Sequence, residues 1–228
     1  MAAKKTERAG PARKTILIVD DHPTLRRGLA ALIDSERDLA VCGEAATCRE
    51  ALAAIPESRP DLVIVDLALG GGDGLDLVKE MRKRHPAIPA LVLSMHDETV
   101  YAERSLKAGA RGYVTKQQLD TTVLVAIRRL LDGKTYMSDT LEARLAAKFV
   151  DGRTVETDSP LDALSDRELQ VFRLIGQGRS TRQIAETLSL SIKTIESHRE
   201  HIKSKLSLET TAELAQRATQ WVETGRSR

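Results

Sequence analysis

The sequence predicts a doubly wound α/β domain followed by a small all-α domain. Three observations carry this. Between Thr15 and about Asp132, short apolar runs alternate with stretches of helical spacing. Residues 151–160, DGRTVETDSP, are polar, hold Gly and Pro, and show no periodicity. Beyond Leu161 the strand pattern stops and only helical patterns remain.

The elements follow in order. ILIVD (16–20) is an apolar run ending in acid, and Leu25, Leu29, Leu32 and Ile33 then recur at helical spacing. LAVCGEA (39–45) is a weaker strand, followed by a helix over Arg49 to Ile55. LVIVD (62–66) is a continuous apolar run of the kind buried on both faces, with a helix from Leu75 to Arg84 behind it. IPALVLS (88–94) and RGYVT (111–115) are the last two strands, each followed by a helix, over Glu98 to Ala108 and Leu119 to Leu131. Such a series implies a five-stranded parallel sheet, helices on both faces and right-handed crossovers. Thr140 to Phe149 suits a connecting helix. SDRE (165–168), STRQ (180–183) and TTAE (210–213) have the form of capping boxes. Ser191 can cap a further helix with Ile192, Ile195, Ile202 and Leu206 on one face. The expected division is a tail over 1–14, an α/β domain over 15–135, a linker with a helix over 136–160, and a helical domain over 161–228.

Composition narrows the function. The 228 residues carry a net charge of +2, unevenly spread. Residues 1–14 hold five Lys/Arg and one Glu, and residues 161–228 hold 11 Lys/Arg against nine Asp/Glu. Residues 15–160 are acidic, with 19 basic and 23 acidic side chains. An acidic first domain suits a cation, and a basic second one suits a polyanion. No apolar run approaches the roughly 18 residues of a membrane span, and the basic start leads into no apolar signal-peptide core. Cys42 and Cys48 alone make neither a disulfide framework nor a zinc site. The expected compartment is the cytoplasm, with no membrane partner.

VDLALGGGDG (65–74) has the strand–glycine–helix outline of a phosphate cradle. The dinucleotide fingerprint fails because, counted from Gly70, its last glycine falls on Leu75. No Gly-Lys-Ser/Thr follows, so a P-loop is excluded too. The chemistry is read from the strand ends instead, because ligands bind beyond the carboxyl ends of an open parallel sheet. Asp20 and Asp21 end the first strand, Asp66 the third and Ser94 the fourth, while Lys116 follows the fifth. Converging carboxylates call for a hard cation, Mg2+. A carboxylate can also be a nucleophile toward phosphorus. Lys116 would then meet the phosphoryl oxygens and Ser94 would donate a hydroxyl.

Residues 15–132 resemble the receiver domain of two-component response regulators, through IVDDHP (18–23), VDLALGGGDG (65–74), LSMHD (93–97) and GARGYVTK (109–116). The resemblance implies a flavodoxin-like strand order. It further implies that Asp66 accepts phosphate from a histidine kinase. Mg2+ would be held by Asp20, Asp21, Asp66 and the carbonyl of Ala68. Ser94 and Tyr113 would be the switch pair, and Lys116 would contact the phosphoryl group. One departure is Gly70, where the family usually has proline; it frees a loop that proline would stiffen.

In the C-terminal region, a helix, a turn and a second helix can seat the second helix in the DNA major groove. QIAETLSLSIKTIESHREHIKSKL (183–206) has that outline, with Lys193, Thr194, Glu196, Ser197, Arg199, Glu200 and Lys203 facing away from Ile195 and Ile202. Residues 164–206 look like the LuxR-type helix-turn-helix of the NarL/FixJ regulators. The resemblance places the recognition helix over Ser191 to Leu206 and a final helix, often used in dimerisation, over Thr210 to Val222. Many relatives have Lys at the place of Glu196, so Lys193, Thr194, Ser197, His198, Arg199 and Lys203 are the expected DNA contacts. His198 and His201, three apart, could suggest a metal pair, but no partner Cys or acidic cluster supports it, so a metal is not expected there.

The expected function is a non-enzymatic, phosphorylation-controlled transcription regulator. It would act as a homodimer on half-sites about one DNA turn apart. A phosphatase with an aspartyl nucleophile is disfavoured by Ala68, where a second acid commonly stands. A regulator that ignores phosphorylation and uses the receiver only to dimerise is the alternative.

Overall fold

The computed structural model describes residues 13–69, 72–94, 98–116, 121–150, 160–188 and 190–224. Gly70, Gly71, the 95–97 part of LSMHD and the 151–159 linker lie outside the described residues. The α/β domain runs β1 (Lys14–Val19), α1 (Pro23–Asp34), β2 (Leu39–Ala45), α2 (Cys48–Ser58) and β3 (Leu62–Asp66). It continues through two short strands, β4 (Ala68–Leu69) and β5 (Gly72–Asp73), into α3 (Gly74–Arg84). Then come β6 (Ala90–Ser94), α4 (Glu98–Ala108), β7 (Gly112–Thr115) and α5 (Thr121–Leu131). The order in the main sheet is β2-β1-β3-β6-β7, all parallel. The strand order reverses at β1 and β3, so the crevice for a ligand opens above their carboxyl ends.

Alternation along the strands sorts the core into two layers. Ile16 and Ile18 of β1 pack with Leu29 and Ile33 of α1 and Ile127 and Leu130 of α5. Leu17 and Val19 point the other way, toward Ile55, Leu77, Val78 and Met81 of α2 and α3. Buried on both faces, β3 and β6 carry no exposed residue.

Four details differ from the sequence reading. β1 begins at Lys14, whose Nζ lies 2.7 Å from Asp61 Oδ1. α2 runs through Pro56 to Ser58, three residues past Ile55, although Pro56 has no N–H to give to the ladder, and it ends at Arg59 in the left-handed conformation. The segment around the glycines is not a plain loop. β4 and β5 pair antiparallel, Ala68 with Asp73 and Leu69 with Gly72, as a small hairpin ahead of α3. Finally, the chain stays with the sheet through Tyr136, whose N–H donates to Arg111 and whose carbonyl accepts from Tyr113 N.

After α6 (Asp139–Val150) the helical domain opens with a 3-10 turn over Pro160–Ala163. It continues as α7 (Asp166–Gly176), α8 (Thr181–Leu188), α9 (Ile192–Leu206) and α10 (Thr211–Thr224). The capping box at Ser165 and Glu168 forms in both directions, as does that of Ser180 and Gln183. The third forms by half: Thr210 Oγ1 accepts from Glu213 N, but the Glu213 carboxylate reaches Glu209 N instead. α7 and α10 cross so closely that a Cβ on Gly176 would stand 2.3 Å from the Ala218 carbonyl oxygen.

The α3–α4 side of the sheet is also where the helical domain docks. Arg104 of α4 donates to Asp166 Oδ1 at 3.0 Å and to the carbonyls of Leu161 and Leu164, each at 2.9 Å. Lys79 of α3 lies 2.7 Å from the other Asp166 oxygen. Tyr101 of α4 meets Trp221 of α10 with ring centroids 6.4 Å apart, and Phe172 of α7 lies 5.7 Å beyond. At this junction Asp73 caps α3, accepting from Leu75 N at 2.9 Å. Burial pushes its pKa up to about 6, with Asp76 and Asp166 adding to the rise while the Leu75 N–H and Arg173 oppose it.

That rise makes Asp73 a pH-dependent load on the fold. Its folded pKa lies above the unfolded one, so its cost is absent below about pH 4, grows as pH rises toward about 6 and is constant beyond. Asn keeps the capping oxygen without the charge. Asp73→Asn should therefore raise the urea midpoint at pH 7.5, by at most about 3 kcal/mol in stability, and leave it unchanged near pH 4. A substitution that destabilises at both pH values would show that the carboxylate is needed as an anion.

Candidate functional site

The carboxyl ends of β1 and β3 bring the predicted acids together. Asp20 and Asp66 are buried, and Lys116, one residue beyond β7, reaches between them. Its Nζ lies 2.6 Å from Asp20 Oδ2 and 2.7 Å from Asp66 Oδ2. The other Asp66 oxygen accepts from the N–H of Ala68 at 3.2 Å. Burial pushes the Asp66 carboxyl above the usual carboxylate range, and the Lys116 ammonium pulls it back. Asp20 is fixed from behind, since its Oδ1 accepts from His22 N at 2.7 Å and its carbonyl from Arg26 at 2.5 Å.

Asp21 Oδ1 is buried and accepts no hydrogen bond, although His22 Nδ1 stands 2.8 Å away. Asp20, Asp21, His22 and Asp66 present ligand atoms within 4.8 Å of one another. Three converging carboxylates, one of them with an oxygen that accepts no hydrogen bond, fit a hard divalent cation, with the His22 ring nitrogen at the edge of the cluster. His22 was not expected here; it follows the acid pair directly in IVDDHP, and only the turn into α1 brings its ring over them.

Ser94 and Tyr113, both buried, stand on adjacent strands. Ser94 pairs with Thr115 and Val92 with Tyr113, so the two side chains lie two positions apart on one face of the sheet. α4 connects these strands and carries Tyr101 and Arg104 to the helical domain. The rim and the docking contacts are thus joined through one helix.

In the helical domain α8 buries Ile184, Ala185 and Leu188, and α9 buries Ile195 and Ile202. Lys193 and Ser197 are exposed, while Thr194, His198, Arg199 and Lys203 are half-buried. Thr194 serves the cap of α9, its N–H donating to Ser191 Oγ at 3.0 Å. Lys203 Nζ is held 3.0 Å from Glu200. Ile192, expected on one face with Ile195 and Ile202, is exposed in the first turn of α9, whereas those two are buried. The histidines have an acidic neighbour after all: Glu168, remote in sequence, lies beside His198 and His201.

Residues 16–128 match the response regulator receiver domain family, and residues 162–218 match the bacterial regulatory proteins of the luxR family. Oxygen regulatory protein NreC of Staphylococcus haemolyticus is 35% identical over 207 residues, covering 89% of this chain and 95% of NreC. The chain is a two-component response regulator of the NarL/FixJ family. Among solved structures, a LuxR-family response regulator from Aurantimonas sp. SI85-9A1 is 34% identical, covers 61% of this chain and 99% of its own, and has a TM-score of 0.57. RcsB of Salmonella enterica serovar Typhimurium, bound to promoter rprA in the presence of phosphomimetic BeF3-, is 26% identical. It covers 91% of this chain and 99% of its own, with a TM-score of 0.64. The response regulator therefore pairs a receiver with a LuxR-type DNA-binding domain, and among its described residues no helix is long and apolar enough to cross a membrane.

Proposed function

We propose that the response regulator acts in the cytoplasm, takes a phosphoryl group onto Asp66 from the phosphohistidine of a histidine kinase and thereby frees its helical domain to bind DNA as a dimer. The observation that supports this most is Lys116 held between Asp20 and Asp66 in a buried pocket. An Asp66 carboxylate oxygen attacks phosphorus, the P–N bond breaks with its electron pair going to the imidazole, and an acyl phosphate remains. Asp20, Asp21, Asp66 and the carbonyl of Ala68 would hold Mg2+, which when bound neutralises the converging oxygens. Lys116 then trades its Asp66 contact for a phosphoryl oxygen, and the Ser94 hydroxyl donates to another. Drawing Ser94 and Tyr113 inward displaces α4 and loosens Arg104 and Tyr101 from α7 and α10, a shift between two populations.

In the docked form Trp221 is engaged by Tyr101, so the receiver holds the helix assigned to dimerisation. Release leaves α10 free to pair two helical domains. Lys193, Thr194, Ser197, His198, Arg199 and Lys203 would then meet phosphates and base edges. RcsB with its promoter supports the DNA partner. DNA retention should fall steeply between about 50 and 200 mM salt; a flat response would count against this interface.

The deciding experiment is intact mass and genomic-DNA retention, with Mg2+ and acetyl phosphate. One added phosphoryl group with tighter retention supports the switch. No mass gain and unchanged retention, once a cognate kinase has been tried, supports a receiver that serves only to dimerise. Arg104→Ala removes three donated bonds to the helical domain, two of them to main chain. Hydrogen bonds from a charged group contribute about 1.5–3 kcal/mol each; if the docked form loses the equivalent of only one of them, unphosphorylated Arg104→Ala should retain DNA at least about tenfold more tightly than unphosphorylated wild type. Unchanged retention would mean that the docked form is already competent.

A further inference from the structure

We infer that Glu168, His198 and His201 form a binding site for a borderline transition-metal ion, of the Zn2+ class, on the flank of the recognition helix. The three side chains each offer one ligand atom, all within 4.8 Å of one another. His198 and His201 are one turn apart on α9, while Glu168 is the third residue of α7, so the site ties two helices together. Two imidazoles and one carboxylate are a ligand set that zinc accepts, with a fourth position left for water.

The carboxylate is already oriented for this. Glu168 Oε2 accepts from Ser165 N at 2.7 Å, Ser165 Oγ at 2.9 Å and Lys205 Nζ at 2.7 Å. Oε1 takes none of these bonds and faces His201 Nδ1 at 3.8 Å. Anchoring one carboxylate oxygen and presenting the other is what an outer shell does for a metal ligand. Glu168 is buried, whereas the His201 side chain is 64% exposed, so the ion has an entry path.

Two cations stand against the site. Lys205 is neutralised by the Oε2 bond it makes. Arg167 is turned to Gln170 Oε1 at 2.6 Å and the Leu188 carbonyl at 2.9 Å. A solvated histidine pair beside a helix cap would explain the exposure of His201 equally well, but not a carboxylate with one oxygen anchored and the other facing His201, with His198 within 4.8 Å. The histidines differ in kind from the receiver acids, whose oxygens suit Mg2+.

The test uses the full chain with excess Mg2+ to occupy the receiver acids, and Co2+ and Zn2+ as probes. The expected result is one retained equivalent of Co2+ with visible d–d absorption, displaced by Zn2+. Affinity should fall by more than about tenfold in His198→Ala and in His201→Ala, and stay unchanged in His85→Ala. On unsubstituted protein, Zn2+ should shift the imidazole nitrogen resonances of His198 and His201 together. No metal retained against Mg2+, binding that survives either substitution, or imidazole resonances that do not move would overturn the site.

Discussion

Asp66→Ala is expected to take up no phosphoryl group under conditions in which the wild-type chain takes up one, and its DNA retention should no longer respond to acetyl phosphate. Both Asp66 oxygens are committed in the resting pocket, one to Lys116 and one to the N–H of Ala68. Asp20 is held in the same pattern, by Lys116 and the N–H of His22, and Asp21 is the more exposed of the pair. The substitution should not unfold the receiver. Lys116 keeps Asp20 at 2.6 Å, so no unpaired ammonium is left behind. Removing one of several crowded carboxylates also relieves a burial cost that already pushes the Asp66 pKa up. A midpoint of unfolding at or above that of wild type should accompany the loss of uptake. A phosphoryl group found on Asp66→Ala would move the acceptor elsewhere.

Gly74→Ala is expected to be the most damaging small substitution in the receiver. A Cβ there would stand 2.1 Å from the Asp66 carbonyl oxygen and 2.8 Å from Leu67 Cα. These are main-chain atoms at the end of a central strand, so no side chain can swing aside. In an ordinary helix the change would gain about 1 kcal/mol from propensity. Here overpacking dominates, and a net loss of about 3 kcal/mol is expected, read from denaturant midpoints. Phosphoryl uptake should slow as well, because α3 can relax only by pushing Asp66 away from Lys116. Unchanged stability would mean that the first turn of α3 re-forms at no cost.

Much of the fold was legible because its signals are local. The runs LVIVD and LAVCGEA become strands over the same residues, and Ser165 caps the helix it announced. The rim was legible because topology does the converging: three strand ends of one parallel sheet must place Asp20, Asp66 and Ser94 on one edge. Contacts between distant segments left no such trace. Nothing in SDRE says that Glu168 will meet two histidines some thirty residues later, and nothing around Arg104 announces Asp166. His22 adjoins the acids in sequence, yet the position of its ring depends on the turn that enters α1. The β4–β5 hairpin escaped for another reason. Two-residue strands carry no period, and three successive glycines mask what little pattern remains.

The grip of Arg104 on the helical domain has a consequence for how such chains diversify. Two of its three bonds go to peptide oxygens, at Leu161 and Leu164, and only one to a side chain. Peptide oxygens survive nearly any residue replacement. The output half can therefore drift in sequence, or be exchanged for another whose leading turn exposes two carbonyls, and still be recognised by an unaltered receiver. Co-inheritance should then concentrate at positions 79, 104 and 166 and at the ring contact of Tyr101 with Trp221.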